Sequence, residues 1–480
     1  MQKIMFSIFF VCFAIVLSRQ GHSSDAAGNN VQTGTKMYAS QFGATLDSNV
    51  YTGGGTDDTD ALQAILDQAH RLGRLHLVLD GAAKISRTLK VHSNTTIECP
   101  DKSCGLFLAD GANCSVIRNA DVDMETIQNR NITLLGGVYN NNSPGQVHHR
   151  DAPAEEHLIS TWVFAMEFYG VENMIMRDVT IANPRTFAML MANWKYVTMD
   201  NIHIDRRERV DFQNQDGLHF WGPGRFLTIR DIRGNSGDDF IALAPDEHDR
   251  KSSIEDVLIQ GVQLDDADQG IRLLVCGEGK LDRVIIRDVT GTYRSYGFIV
   301  NPWSEGEGIR RYGHYGNIVF DTIDLRPMKN NYSYSQPFLF KLGGNIESVT
   351  FKNIYQHTPE FNHKMFILGG SFTGDQPETS EMPTHISRII VDGLYIDERC
   401  EQGIPDSYFL VRSKVDLLSI KDVILRRAEG LPGTGVLVRV ESGGSVGELR
   451  MKDMSVTGLD TLIDAKPGDI KIRKIDNPYE

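Results

Sequence analysis

Along two thirds of the chain one six-residue pattern recurs: apolar, any, Asp/Asn/Gly/Thr, apolar, any, mostly apolar. It reads MRDVTI from Met176, MDNIHI from Met199, IRDIRG from Ile229, IQGVQL from Ile259 and IRDVTG from Ile286. It continues as FDTIDL from Phe320, FKNIYQ from Phe351, VDGLYI from Val391, IKDVIL from Ile420 and MKDMSV from Met451. Successive copies start 23, 30, 30, 27, 34, 31, 40, 29 and 31 residues apart. Alternation with period two, rich in β-branched residues, predicts a strand in each copy rather than a helix. Further short strands are predicted at Phe187–Ala192, Gly217–Gly222 and Phe240–Ala244, punctuated by Gly and Asn/Asp turns. Several short strands per unit with no helix between them predict an all-β chain wound as a parallel β-helix, a single-stranded solenoid. In it each coil pairs with the next and buries an apolar column. Leucine-rich repeats, the rival at this period, need a Leu/Asn frame that these copies lack.

The front of the chain follows a different period. In TDDTDALQAILDQAHRLGR (Thr56–Arg74), Leu62, Ile65, Leu66 and Ala69 recur at helical spacing, after an Asp/Thr-rich start and before Gly73. A stack of coils leaves its first apolar layer open, so this helix is expected to cap it. The expected organisation is residues 25–150 as cap and first coils and 151–470 as the β-helix body carrying the active-site groove, in one elongated domain. Residues 1–24 are expected to be a signal peptide. There Lys3 precedes the apolar run IMFSIFFVCFAIVL (Ile4–Leu17) and a polar segment, a run of fourteen residues that is short for a membrane span.

Charge and cysteine content narrow the setting. A formal net charge of −14 argues against nucleic acid or an anionic membrane surface as partner. A secreted or periplasmic monomer, with no membrane contact after signal removal, is expected. An oxidising compartment would permit a Cys99–Cys104 bridge, though spacing alone does not assign one. No cysteine spacing suggests zinc, and no cofactor or metal is expected.

The chemistry concentrates in NQDGLHFWGPGRFLTIRDIRGNSGDD (Asn214–Asp239), where Asp216 precedes the pair Asp238 and Asp239 by 22 and 23 residues. One coil returns the chain to the same lateral position one strand spacing higher, roughly 4.8 Å. Asp216 should therefore lie beneath the pair, and three carboxylates so close should raise at least one pKa. In a regular strand Asp238 and Asp239 would face opposite ways, so a bend at Gly237 is expected. Such a cluster suits glycoside hydrolysis, with one carboxyl kept protonated and the others activating water. The alternatives are turn duty, as expected of Asp178, Asp231 and Asp288, and a calcium site.

NQDG (Asn214–Gly217) and SGDDFIAL (Ser236–Leu243) resemble the NTDG and GDDCIA motifs of glycoside hydrolase family 28, the polygalacturonases and their relatives. DQGIRLL (Asp268–Leu274), SYGFIVNPW (Ser295–Trp303) and the opening FGA…TDDTDALQAIL are similar to further segments of that right-handed parallel β-helix superfamily. The resemblance implies Asp238 as general acid, with Asp216 and Asp239 holding the attacking water of an inverting reaction. It implies that Asn214 orients the site, that Arg272 contacts the sugar and that Tyr296 lines the groove. His219, Trp221 and Trp303 are further candidates for substrate contact, as are Arg310, Arg311 and His314 in the loop Glu305–Gly316.

Two departures stand out. The family's GHG histidine has no clear counterpart. Either a coil is missing between Asp239 and Arg272, or Gln269 stands where that histidine would. Leu274 replaces the family's lysine, which points away from plain polygalacturonate. The expected activity is hydrolysis of a polysaccharide or oligosaccharide, on a pectic or other acidic glycan. A polysaccharide lyase or uronan epimerase on the same fold is the runner-up, and a non-catalytic glycan-binding β-helix the third reading.

Overall fold

The computed structural model describes residues 36–150, 161–207, 214–302, 313–329, 337–357, 363–369, 384–398, 407–431 and 435–476. The expected signal segment, Trp303, Arg310, Arg311 and Cys400 lie outside these residues. Thr35–Glu480 forms one compact unit. Its ladders are parallel, and each strand pairs with strands of the coils before and after it, so the chain is a parallel β-helix.

The repeat frame is the register of this stack. Met176 pairs with Met199, then in turn with Ile229, Ile259, Ile286, Phe320, Phe351, Val391, Ile420 and Met451, the first residue of every copy. All ten are buried in one continuous core. The third residue of every copy has left-handed backbone, from Asp178 (φ 59°) and Asn201 (φ 52°) through Gly261 (φ 71°) and Thr322 (φ 56°) to Asp453 (φ 52°). That conformation crowds a Cβ against the next carbonyl and is tolerated best by Gly, Asn and Asp. The composition of the repeat's third position follows from it. Between the first two copies these side chains also bond to each other, Asn201 Nδ2 donating to Asp178 Oδ1 at 2.6 Å.

The cap forms as two short helices, Thr59–Leu66 and Gln68–Leu72, divided at Asp67 and closed by Gly73 at φ 71°. Leu62, Ile65, Leu66 and Ala69 are all buried in the core against the first coils. The acidic start serves another purpose than capping the helix: the Asp58 carboxylate accepts the backbone N–H groups of Thr45 and Leu46 at 2.6 and 2.8 Å. Cys99, Cys104, Cys114 and Cys276 are free thiols. Burial pushes the Cys99 thiol up to about 12. Among the described residues no helix is long and apolar enough to cross a membrane.

One outer face positions the candidate chemistry. Asp239, Gln269, Tyr296, Phe338 and Lys364 stack in one column on successive coils. Three residues on, Leu190, His219, Ala242, Arg272, Ile299 and Lys341 stack in a second. Between the columns Leu218, Ile241, Ile271 and Phe298 enter the core. On three coils a glycine, Gly217, Gly270 or Gly297, stands beside the inward residue, where Phe240 and Leu339 stand on two others. A Cβ on Gly270 would lie 2.1 Å from the Gly297 carbonyl oxygen, and one on Gly217 2.2 Å from that of Phe240.

Candidate active site

The Gly217 N–H donates to the Asp239 carbonyl at 2.8 Å, and the Gly237 N–H to the Gln215 carbonyl at 2.9 Å. Asp216 therefore lies one coil from the Asp238–Asp239 pair, and the three carboxyl groups share one outer face. Gln269 pairs with Asp239 directly, so DQG forms the very next coil after the Asp238–Asp239 pair.

Asp238 and Asp239 both serve this face because Asp238 sits in a bend before the strand Asp239–Ala244 begins. The expected bend spans Gly237 and Asp238, and Gly237 has a steric duty there besides. A Cβ there would fall 1.9 Å from Nη1 of Arg206, a fully buried side chain that also donates to Gln215 Oε1 at 2.7 Å. Close approach of a guanidinium, not a left-handed turn, is what requires glycine at this position.

Each carboxyl has its own surroundings. Asp238 is half-buried; its backbone carbonyl accepts from the Ser236 hydroxyl at 2.8 Å and the Gln269 N–H at 3.3 Å, and its carboxyl receives no hydrogen bond from any described residue. Burial, reinforced by the charges of Asp216 and Asp239, holds its pKa well above the carboxylate range. Asp239 is buried, with Arg272 Nη1 3.5 Å from its Oδ2 and the Tyr296 hydroxyl bonded to its Oδ1. Burial raises it to about 7 in spite of the Arg272 charge. The Tyr296 hydroxyl also meets Gln269 Oε1. One hydroxyl has one proton, so a protonated Asp239 or a turned Gln269 amide must donate the second bond. The Tyr296 ring is stacked on Phe338 at 5.4 Å.

Asp216 is raised by burial, against the pull of His219, whose Nδ1 lies 2.7 Å from its Oδ2. His219 Nε2 lies 2.8 Å from Glu247 Oε2, which also accepts the Trp221 indole N–H at 2.8 Å. Burial alone would lower His219, but its hydrogen bonds to Asp216 and Glu247 lift it to about 10. Glu247, though burial works to raise it, is drawn down to about 2 by the same histidine. Four carboxyls and two cations, His219 and Arg272, thus share one small volume.

The expected substrate contacts divide. His219 is 5 % exposed with both ring nitrogens engaged, so it stands behind Asp216 rather than at the surface of the groove. Arg272, Gln269 and Tyr296 are brought to the carboxyls. Asn214 is half-buried in left-handed backbone (φ 52°) and makes no hydrogen bond to the three carboxyls. Trp221 is half-buried, with its indole N–H already used. Sequence reasoning missed Glu247 and Arg206. Glu247 sits three residues after a strand of the site in APDEHD, which reads as an acidic turn, and Arg206 in DRRER, which reads as a solvated charge run. Among the described residues no group of three or more His, Cys, Asp or Glu side chains is placed to hold a metal ion.

Comparison with known proteins gives the family and the fold. Residues 70–373 match the profile of the family described as Glycosyl hydrolases family 28. No curated protein matches the chain. Among solved structures it is similar to the tailspike protein of the E. coli bacteriophage HK620, solved with a pentasaccharide. That match has 11 % identity and a TM-score of 0.52, over 89 % of this chain and 80 % of the tailspike. It is also similar to the Yersinia enterocolitica family 28 exopolygalacturonase, at 12 % identity and a TM-score of 0.46 over 92 % and 78 % of the two chains. The Streptococcus pneumoniae surface adhesin PfbA matches at 13 % identity and a TM-score of 0.48 over 92 % and 91 %.

Proposed function

The chain belongs to glycosyl hydrolase family 28, and we propose that it is an exported glycoside hydrolase that cleaves a polysaccharide or oligosaccharide with inversion. The observation that carries the reading is the set of three carboxyls on two neighbouring coils whose surroundings hold their protons differently. Asp238, kept protonated, gives its proton to the glycosidic oxygen as the bond to the anomeric carbon breaks. Asp216 and Asp239 hold a water on the other face of the sugar. That water adds to the anomeric carbon and passes its proton to a carboxylate.

Arg272 stays charged beside this centre and suits a carboxylate or sulfate on the sugar through paired hydrogen bonds. The replacement of the family's lysine by Leu274 supports a substrate other than plain polygalacturonate. Export rests on the apolar run Ile4–Leu17 behind Lys3.

The test is turnover of purified protein on pectic, galactan, dextran and sulfated polysaccharides, following reducing ends and ultraviolet absorbance, with Asp238→Asn alongside. New reducing ends without absorbance, lost in the variant, are the expected result. Absorbance rising with reducing ends would make the chain a lyase.

A further inference from the structure

His219 is held between two carboxyl groups. Its two ring nitrogens face carboxylate oxygens at 2.7 Å (Asp216) and 2.8 Å (Glu247). Between two ionised carboxylates, which only accept, both nitrogens donate and the ring is an imidazolium, whereas a protonated Asp216 would donate to a neutral ring. The ring plane is set by Phe187, stacked on it at 4.6 Å with an interplanar angle of 3°. The Glu247 oxygen is set in turn by the Trp221 indole N–H at 2.8 Å. Phe187 sits one coil before Asp216 and is itself stacked on Phe164 at 5.1 Å, so the clamp is built on packed aromatic rings.

We propose that His219 and Glu247 are positioning residues: a buried imidazolium, braced by a partly exposed carboxylate, that keeps Asp216 ionised and aimed at the reacting water. This rests on the hydrolase reading and adds to it a rule for dividing protons. The charged and titratable groups around His219 are Asp216 and Glu247 in contact, then Asp238, Asp239 and Arg272. With the imidazolium in place Asp216 has a bonded counter-charge and Asp238 has none, so the spare proton rests on Asp238. Without it the buried Asp216 faces the partly exposed Glu247 with no cation between them, and Asp216 competes with Asp238 for the proton. The acid and base roles would then no longer be distinct.

The wild-type protein, labelled with ¹⁵N-histidine, tests the charge without any substrate. The His219 resonances, assigned by their loss in His219→Gln, are expected to remain those of an imidazolium at pH 8, where an ordinary histidine is neutral. A neutral His219 at pH 8 overturns the proposal. Glu247→Gln is expected to let the ring lose its proton at lower pH. On whichever glycan the wild type cleaves, it should lower kcat by about a hundredfold with KM little changed and move the acid limb of kcat/KM upward. A Glu247→Gln enzyme with an unaltered pH profile would also overturn it. Should the wild type cleave no glycan, the hydrolase reading fails, while the resonances still decide the charge of His219.

Discussion

Tyr296→Phe is the sharpest probe of how Asp239 works, because it deletes one hydroxyl and leaves the packing. The ring lies flat against Phe338 at 5.4 Å and is buried, so phenylalanine fills the same place. The lost oxygen is the one bonded to Asp239 Oδ1. A hydrogen bond to a charged group contributes about 1.5–3 kcal/mol, and about 1.4 kcal/mol corresponds to one pH unit. Without that donor the Asp239 carboxyl, already raised by burial to about 7, should rise by a further one to two pH units, roughly.

If ionised Asp239 holds the water, activity rises with pH through its pKa. The acid limb of kcat/KM should then move from about 7 to roughly 8–9. Activity at pH 6 would fall by about tenfold to a hundredfold, with a small loss at pH 10. A pH-rate profile on the glycan found to be cleaved measures this. A limb that stays in place or moves down refutes the role given to Asp239. An equal loss at every pH would instead make Tyr296 a substrate contact.

Three further outcomes test the architecture. Asp239 has a folded pKa of about 7 against its ordinary 3.8. The stability it contributes is therefore complete below about pH 4 and lost as pH rises through 7, by about 4 kcal/mol at most. Asp239→Asn should raise Tm at pH 8 and leave it unchanged at pH 4, and calorimetry showing a lower Tm at pH 8 would contradict the burial argument. Thr322 is the β-branched member of the left-handed column, at φ 56°. Thr322→Asn is expected to stabilise by about 1 kcal/mol, and a drop in Tm would show that its hydroxyl bond to Asp321 at 3.1 Å outweighs the strain. Gly237→Ala places a methyl 1.9 Å from Arg206 Nη1. It should cost about 1–3 kcal/mol and lower turnover by displacing Asp238, whereas a neutral effect on both would mean that Arg206 is free to move.

The fold was legible because β-helix register is a local pattern repeated. An apolar residue at Met176 or Ile286 needs only a like residue one coil away, and a left-handed turn needs only Gly, Asn or Asp, so ten copies of six residues spelled out the pairing. The carboxyls were legible for the same reason, since 22 to 23 residues is one turn of that ladder. What surrounds them was not. His219 was visible as a polar residue near Asp216, but its charge depends on Glu247, which arrives from the following coil beyond the end of a strand. Arg206 reaches Gly237 from the coil before.

These contacts join side chains on three different coils, and no periodicity in the chain records which of them converge. The distinction has a chemical consequence. The ladder sets carboxyls of one kind at one spacing, and would leave Asp216, Asp238 and Asp239 with similar affinities for a proton. The groups outside the periodic pattern make them different: the imidazolium at Asp216, the hydroxyl and guanidinium at Asp239, and the lack of any described hydrogen-bond donor at the Asp238 carboxyl. A reaction that needs one acid and one base from three identical side chains draws that difference from the irregular residues, and it is there that substitution should change mechanism rather than fold.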